Sequence, residues 1–460
     1  VKKIVERYPI MSSIIQKILA HGGRSYLVGG VVRDMVMGLS INDKDIDVEV
    51  HGLTEHMLEN ILQEYGVVNT VGKSFGVLRV SGLAVDWSLP RTDSTGRKPI
   101  VTIDPGMTIQ EAARRRDLTM NAMAIDMQTG ELIDPFGGKD DIKNKILRAP
   151  DARLFIQDPL RLFRVMQFIG RFEMVPDSTL NELCSSIDIT SVSRERIEQE
   201  FKKLLLLSER PSLGIRWLHS IKKLPVILQE LAGTLQVQQN PKWHPEGTVF
   251  EHTMQALDAA AQIVQSYDQE KKKLIILYAA LCHDIGKVTT TTVHDGVIKS
   301  IGHENETGLV KTLLKRITHD TDIIEAVVSL VLHHMQPLQF VAQNAKLPAY
   351  KRLARKLSPL VSMKLLADLA RADRRGRNGA SSLPLADEDT EVDVFIKNAQ
   401  KAGVFELPEA AVLTGADILA YVKPGPQVGH LLKKAYDIQI NEGIIHKEDL
   451  LKRLIGKKMK

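Results

Sequence analysis

The spacing of hydrophobic positions changes along the first ninety residues of the chain, and each change predicts a new element. Ile10, Ile14, Ile15, Ile18 and Leu19 recur at helical spacing, so a leading amphipathic helix is expected from Val1 to about His21. A compact apolar run at Ser25–Val28 predicts a strand, followed by a Gly29-Gly30 turn and a helix that can start at Val31. The run DIDVEV then predicts a second strand, a helix follows around Thr54–Gln63, and short strands follow at Val67–Val71, Gly76–Val80 and Ala84–Leu89. Together these make an alternating α/β unit. The stretch from Arg91 to Thr108 is polar, with glycines and prolines, and reads as a loop. Thr108 and Glu111 form a capping box that opens a helix carrying AARRRDLTMNAMAID, and DPFGGK closes the unit in a tight turn.

Beyond this point the period is helical. Asp151–Phe172 carries apolar residues at helical spacing, with Pro159 tolerable in a first turn and Asp158 suited to the N-cap. Another helix is expected over Ser191–Leu205, whose Arg194, Arg196, Lys202 and Lys203 either hold a nucleic acid or lie in water. From about Asn240 the segments are helical and rich in histidine. After Arg377 a small, polar, acidic run reads as a linker or exposed loop, and the helical tail turns sharply at Lys423–Pro426.

Composition narrows the class. A chain of 460 residues is too long for one core, and 43% hydrophobic with 25% charged residues is ordinary for a globular protein. The excess of 61 Lys plus Arg over 56 Asp plus Glu serves an RNA partner only where it is concentrated. Cys184 and Cys282 sit in apolar helical contexts and read as reduced core thiols. No apolar run approaches a membrane span of about 18 residues and no signal-peptide pattern opens the chain, so a cytoplasmic location without membrane contact is expected. The sequence carries no signal for oligomeric state.

The chemistry of the first unit centres on Leu27–His51. Residues two apart in a strand project on the same face, so Asp45 and Asp47 can grip one or two hard cations together. Gly29 and Gly30 allow the backbone to approach a triphosphate, the following helix offers its free N–H groups, and Arg33 can add charge. Asp86 either joins the carboxylate pair or is a solvated or capping acid. Of Arg114, Arg115 and Arg116, at least one must turn inward, toward a phosphate or Asp117.

Asp158 and Arg161, three apart on a helix, supply a carboxylate and a guanidinium side by side. Cytosine and adenine both present an amino donor beside an unprotonated ring nitrogen, whereas uracil and guanine present a carbonyl beside an N–H. Such a pair would accept C or A and reject U or G.

The string GGVVRDMVMG…DKDIDVEV resembles the catalytic signature of the polymerase-β superfamily, and specifically the bacterial tRNA nucleotidyltransferase (CCA-adding) and poly(A) polymerase family. The resemblance implies an α/β polymerase-β-like nucleotidyltransferase head, an all-α neck, an HD-like helical domain and a helical tail. Boundaries of 1–140, 141–235, 236–380 and 381–460 follow. Asp45 and Asp47 would be catalytic and hold Mg2+. Gly30, Arg33, Arg116, Asp117, Asn121, Asp158, Arg161 and Arg164 would bind the nucleotide. The expected substrates are CTP, ATP and the 3′ end and acceptor stem of tRNA. Two departures stand out: Gln157 replaces the first glutamate of the family's Glu-Asp-x-x-Arg motif, and the loop after Arg91 is a few residues short.

His244, His252, His283-Asp284, His303, His333-His334 and Asp373 populate the next region. His252, His283, Asp284 and Asp373 in this order, with Lys287 completing HDIGK, resemble the HD phosphohydrolase fold. They imply a divalent ion, Mg2+, Mn2+, Ni2+ or Co2+, acting on phosphate esters such as 2′,3′-cyclic and 2′ phosphates. Competing readings are a CC-adding or A-adding specialist, a poly(A) polymerase, a protein-modifying nucleotidyltransferase coupled to an HD hydrolase in signalling, and a non-catalytic RNA-binding scaffold.

Overall fold

The structure, a computed structural model, describes residues 7–41, 45–71, 77–93 and 101–455. It forms two compact units, one of Val1–Leu204 with Leu213–Lys223 and one of Leu205–Ser212 with Leu224–Lys460.

In the first unit the strands are β1 (Arg24–Val28), β2 (Ile46–His51), β3 (Val68–Val71), β4 (Val77–Val80), β5 (Val85–Ser88), β6 (Arg91–Asp93), β7 (Val101–Ile103), β8 (Ala124–Asp126) and β9 (Leu132–Ile133). Seven of them form one mixed sheet in the order β3-β4-β5-β2-β1-β8-β9. The β2–β5 pair is parallel and sets Asp47 beside Asp86, while the antiparallel β1–β2 pair sets Val28 beside Asp47. Alternation drives Ile46, Val48 and Val50 into a core with Leu27, Trp87, Ile14 and Ile18, leaving Asp45, Asp47 and Glu49 on the other face. The helices Ile10–Ala20 and Glu55–Gln63 pack on that core, the second capped by Thr54.

Two expectations require correction in this unit. The stretch after Arg91 is not simply a loop, because β6 and β7 pair as a hairpin; the intervening residues 94–100 lie outside the described ones. The capping box of Thr108 and Glu111 is present, but its helix is only Ile109–Arg114. It stops because the Asp117 carboxylate accepts the N–H of Leu118 at 2.9 Å, offering the backbone an alternative to the helical bond. A 3-10 turn at Thr119–Asn121 and then β8 follow. The neck carries two helices, Ala152–Phe155 and Leu160–Phe172, the second beginning beside Pro159 as expected, with Asp158 accepting the N–H of Leu160 at 3.2 Å.

The second unit is a helical bundle in which Val249–Ile263, Glu270–Cys282, Thr321–His333 and Met363–Arg375 pack around a buried polar centre. The acidic run after Arg377 is an exposed loop, one of its two expected forms, and it is tied down by ion pairs and a main-chain contact. Asp387 and Asp393 each meet Arg371 at 2.7 Å, the Leu385 carbonyl accepts from Arg375 at 2.8 Å, and the run enters a helix at Thr390–Lys401. The tail helices Gly415–Leu419, Pro426–Glu442 and Lys447–Ile455 share a small core of Leu413, Ile418, Ala435, Leu450, Leu451 and Leu454. Cys184 and Cys282 are free and buried, and burial pushes the Cys184 thiol up to about 12. Among the described residues no helix is long and apolar enough to cross a membrane.

Candidate active sites

In the head, β1 delivers the chain to Gly29, whose φ of +73° lies in the left-handed region that disfavours a side chain. A Cβ there would lie 3.3 Å from Asp47 Oδ2 and 3.6 Å from Arg116 Nη1. Asp47 is raised from the ordinary carboxylate range, first by burial and then by its neighbours Asp86 and Asp45, against the opposing pull of Arg116. Asp86 therefore belongs to this carboxylate group. Arg79 bridges it, with Nε 2.6 Å from Asp86 and Nη2 3.9 Å from Asp45.

The arginine run turns inward, where a carboxylate other than Asp117 receives it. Arg115 and Arg116 converge on the buried Glu49, at 3.3 and 3.4 Å. His51 also meets Glu49, at 2.9 Å, and itself leans on the Met107 carbonyl. Burial would raise Glu49, yet His51, Arg116 and Arg115 hold its carboxyl down at about 2.

Asp117 and Asn121 lie in a buried relay. Arg164 donates to Asp117 at 2.6 Å, Asn121 donates to Asp117 at 3.0 Å, and Arg33 donates to Asn121 at 2.9 Å. Burial opposes ionisation of Asp117, but Arg164 and Asn121 keep it at about 2. Arg33, expected at the phosphates, is 6% exposed. Its guanidinium is committed to Asn121 and Asp34 and stacks on Phe168 and Phe172. It ties the helix behind Gly29-Gly30 to the neck instead of facing solvent.

Asp158 and Arg161 each have partners elsewhere in the chain. Asp158 meets Arg196 at 3.2 Å, while Arg161 donates to the Leu154 carbonyl at 3.0 Å and also to the Arg115 carbonyl. Gln157 is exposed beside them.

In the second unit His252 comes from the helix Val249–Ile263, His283-Asp284 from the end of Glu270–Cys282, and Asp373 from Met363–Arg375. All four are buried. His252 Nε2 lies 3.1 Å from His283 Nε2, 3.1 Å from Asp373 Oδ1 and 3.5 Å from Asp284 Oδ2. Outer partners fix the rings: His252 Nδ1 faces Glu246 at 2.8 Å, and His283 Nδ1 faces the Ala280 carbonyl at 2.9 Å. With Nδ1 donating outward, each neutral imidazole presents the Nε2 lone pair inward, the arrangement of a metal ligand. Lys287 meets Asp284 at 2.7 Å and Arg377 meets Asp373 at 3.1 Å.

With both sites laid out, the chain can be set beside known proteins. Residues 25–148 match the Poly A polymerase head domain and residues 249–376 match the HD domain. A multifunctional CCA protein of Vibrio parahaemolyticus is 30% identical over 422 residues, covering 87% of this chain and 93% of that protein.

The chain belongs to the multifunctional CCA protein family.

A relative from Stenotrophomonas maltophilia K279a, also a multifunctional CCA protein, is 36% identical over 276 residues, 58% of this chain and 64% of the relative. The fold is that of the Bacillus stearothermophilus CCA-adding enzyme, solved in complex with CTP. The TM-score is 0.65 at 19% identity, covering 96% of each chain. The Thermotoga maritima CCA-adding enzyme, solved with tRNA, is similar at a TM-score of 0.59 and 18% identity, over 98% of this chain and 95% of that one.

The chain pairs a Poly A polymerase head domain with an HD domain, and nucleotidyltransferase and HD domains generally use divalent metals. In this member the donor sets suit that chemistry: clustered carboxylates in the head, mixed imidazole and carboxylate in the bundle. Four residues escaped the sequence reading as parts of these sites. Arg79 was readable only from the β4–β5 register that sets it beside Asp86. Glu49 continues the Asp45, Asp47 alternation, a signal that was present. His303 and His334 were visible as histidines but had no spacing that tied them to Asp284. In the structure Asp284 Oδ1 lies 3.1 Å from His303 Nε2 and 3.8 Å from His334 Nε2.

Proposed function

We propose that this chain adds CCA to the 3′ end of tRNA from CTP and ATP without a nucleic-acid template, and that its HD centre hydrolyses phosphate esters at RNA ends. The observation that carries the first reading is the closure of Gly29 on Asp47, with Asp86 in register beside it. A bare backbone there leaves room for a triphosphate directly against the carboxylates. Asp45 and Asp47 would hold Mg2+, with Asp86 as a third acid. A Mg2+ ion held there would lower the cost of ionising the RNA 3′-hydroxyl and would offset the charge of the departing pyrophosphate. In-line attack on the α-phosphate lengthens the RNA by one nucleotide.

The chain's own residues do the positioning. Gly29 and Gly30 admit the triphosphate, and Arg116, steered by Glu49, points its charge at the same place. Asp117 and Asn121 set the ribose pocket through Arg164 and Arg33. For base choice Asp158 must leave Arg196. That pair is half-exposed, so the exchange costs at most about 1 kcal/mol. Arg161 would supply the guanidinium of that choice, held by its main-chain ties. The acceptor stem is expected along the neck, where Arg161, Arg164, Arg171 and Arg196 gather positive charge. Head, neck, HD-like and tail segments take the boundaries 1–140, 141–235, 236–380 and 381–460, and the cytoplasm is the place of work.

At the HD centre His252, His283, Asp284 and Asp373 would hold a divalent ion, Mg2+, Mn2+, Ni2+ or Co2+. Lys287 and Arg377 add positive charge for a phosphate. Its substrates would be 2′,3′-cyclic and 2′ phosphates on RNA ends.

The test of the transferase reading is Mg2+-dependent release of pyrophosphate with a truncated tRNA and CTP. It is expected from the intact chain and lost in Asp45→Ala/Asp47→Ala, while HD-centre phosphatase activity persists in that variant. Equal release by the double variant would overturn the assignment.

A further inference from the structure

A cavity of about 430 Å3 opens in the helical unit on residues that neither active site uses. One wall is the helix Leu347–Leu357, which turns Arg352, Arg355 and Lys356 to one side because they stand three and four residues apart. The other wall is the helix Pro426–Glu442, whose Gly429, Leu432, Lys433 and Tyr436 follow the same spacing. Ala411 and Leu413, from the segment ahead of the tail helices, complete the lining.

The walls are fixed by buried hydrogen bonds. Gln439 donates to the Glu409 side chain and to the Ala410 carbonyl at 2.8 Å each and accepts the Val412 N–H at 2.9 Å, which holds this segment against the tail helix. Tyr436 donates its hydroxyl to the Glu409 carbonyl at 3.1 Å, and the Arg355 guanidinium lies 5.2 Å over its ring. Small side chains make the space: Ala411 and Gly429 stand where longer ones would fill it, and a Cβ at Gly429 would meet nothing within 4 Å.

The charges of the lining do not cancel. Arg352, Arg355, Lys356 and Lys433 share the rim with a single acid, Asp437, which meets Arg352 at 3.9 Å. Among the described residues no carboxylate lies within ion-pair distance of Arg355, Lys356 or Lys433. Three uncompensated positive charges on the two walls therefore surround one opening, and they repel one another until an anion enters. Below them the floor is apolar, with Leu413 and the Tyr436 ring buried. Solvated cations on helix surfaces would account for the charge, but not for a fixed apolar cavity between them.

We infer that this cavity binds a free nucleoside phosphate. A volume at the small end of ligand cavities suits one mononucleotide. Its phosphate meets cations from both walls. Its base lies on the apolar floor beside the Arg355–Tyr436 pair, which offers a planar heterocycle both a guanidinium and an aromatic ring. Inorganic phosphate would leave the floor uncovered. A continuous RNA strand would need cations along a track, whereas here they ring one opening.

The experiment is photo-crosslinking of the full chain with 8-azidoadenosine 5′-monophosphate in the presence of a chelator, with the modified peptides mapped by mass spectrometry. Adducts are expected in the helices Leu347–Leu357 and Pro426–Glu442, suppressed by unlabelled AMP and not by an equal concentration of inorganic phosphate. Gly429→Leu fills the cavity and keeps every rim charge. Because leucine suits a helix better than glycine, this variant should unfold no earlier than the parent and lose those adducts about 10-fold or more. Lys356→Ala/Lys433→Ala, at two exposed positions, should lose them as well, and it carries the test if Gly429→Leu does not fold. Absence of adducts from both helices overturns the inference. Adducts undiminished in the variants would come from surface charge and overturn it equally, and adducts blocked by an RNA oligomer but not by AMP would assign the cavity to RNA and overturn it too.

Discussion

Gly29 and Asp47 stand so close that a single added carbon at position 29 would sit 3.3 Å from the Asp47 carboxylate. The contact follows from register, because the last residue of β1, Val28, pairs with Asp47 on β2. The glycine turn and the acidic strand are thus parts of one device. Gly29→Ala would suffer twice, from its φ of +73° and from crowding of Asp47 and Arg116. The expected result is a loss of about 1–2 kcal/mol in unfolding stability and a fall in nucleotide addition of about 100-fold or more from the displaced carboxylate. Steady-state kinetics beside thermal unfolding separates the two. Normal kcat in Gly29→Ala would contradict the arrangement.

Glu49 steers Arg115 and Arg116 without reaching the solvent itself. Glu49→Gln keeps the shape and removes the charge, so the arginines lose their anchor. KM for CTP and ATP should rise roughly 10-fold, with stability lower by about 2 kcal/mol, the scale of a hydrogen bond to a charged group. If KM is unchanged while stability falls, Glu49 is purely structural.

Acid should loosen the head through Asp117. Its folded-state carboxyl sits at about 2, below its value in an unfolded chain. The ionised group therefore adds stability that is complete above about pH 4 and is lost progressively as the pH falls toward 2. The total at stake is about 2 kcal/mol. Hydrogen exchange of the head across that window should show the dependence in the parent chain and a flatter one in Asp117→Asn. Identical slopes would show that Arg164 does not hold Asp117 ionised.

Base choice offers a fourth test. Asp158→Ala should raise misincorporation of UTP about 10-fold or more relative to CTP, because the carboxylate that accepts the cytosine amino group is gone. Arg196→Ala, which only frees Asp158 from a half-exposed pair, should leave both fidelity and stability within about 1 kcal/mol of the parent. A loss of fidelity in Arg196→Ala alone would assign the selection to that arginine.

Local period carried much of the fold. The strands around Val28, Asp47 and Trp87 and the helix capped by Thr54 stood in the sequence because alternation and capping are local signals. The helix after Thr108 was overextended because Asp117 ends it with a side chain that the apolar pattern does not register. The acids at 387, 389 and 393 read as a solvated run, since nothing local shows Arg371 and Arg374 waiting to receive them. In the sites, Asp45 and Asp47 were legible from a strand's two-residue repeat. The partners of Arg115, Arg161 and Asp158 were not, because each is fixed by a contact formed only when distant segments meet. His303 and His334 were hidden for the same reason: their link to Asp284 exists only in space.

The most direct test of the central claim is to offer the chain, with Mg2+, a tRNA lacking its 3′ end together with CTP, ATP, UTP and GTP, and to sequence the products. Ends of CCA and nothing longer are expected, which would make Gln157 and the short segment after Arg91 compatible with the full cycle. Arrest at CC, a long run of A, or no extension would each contradict the claim.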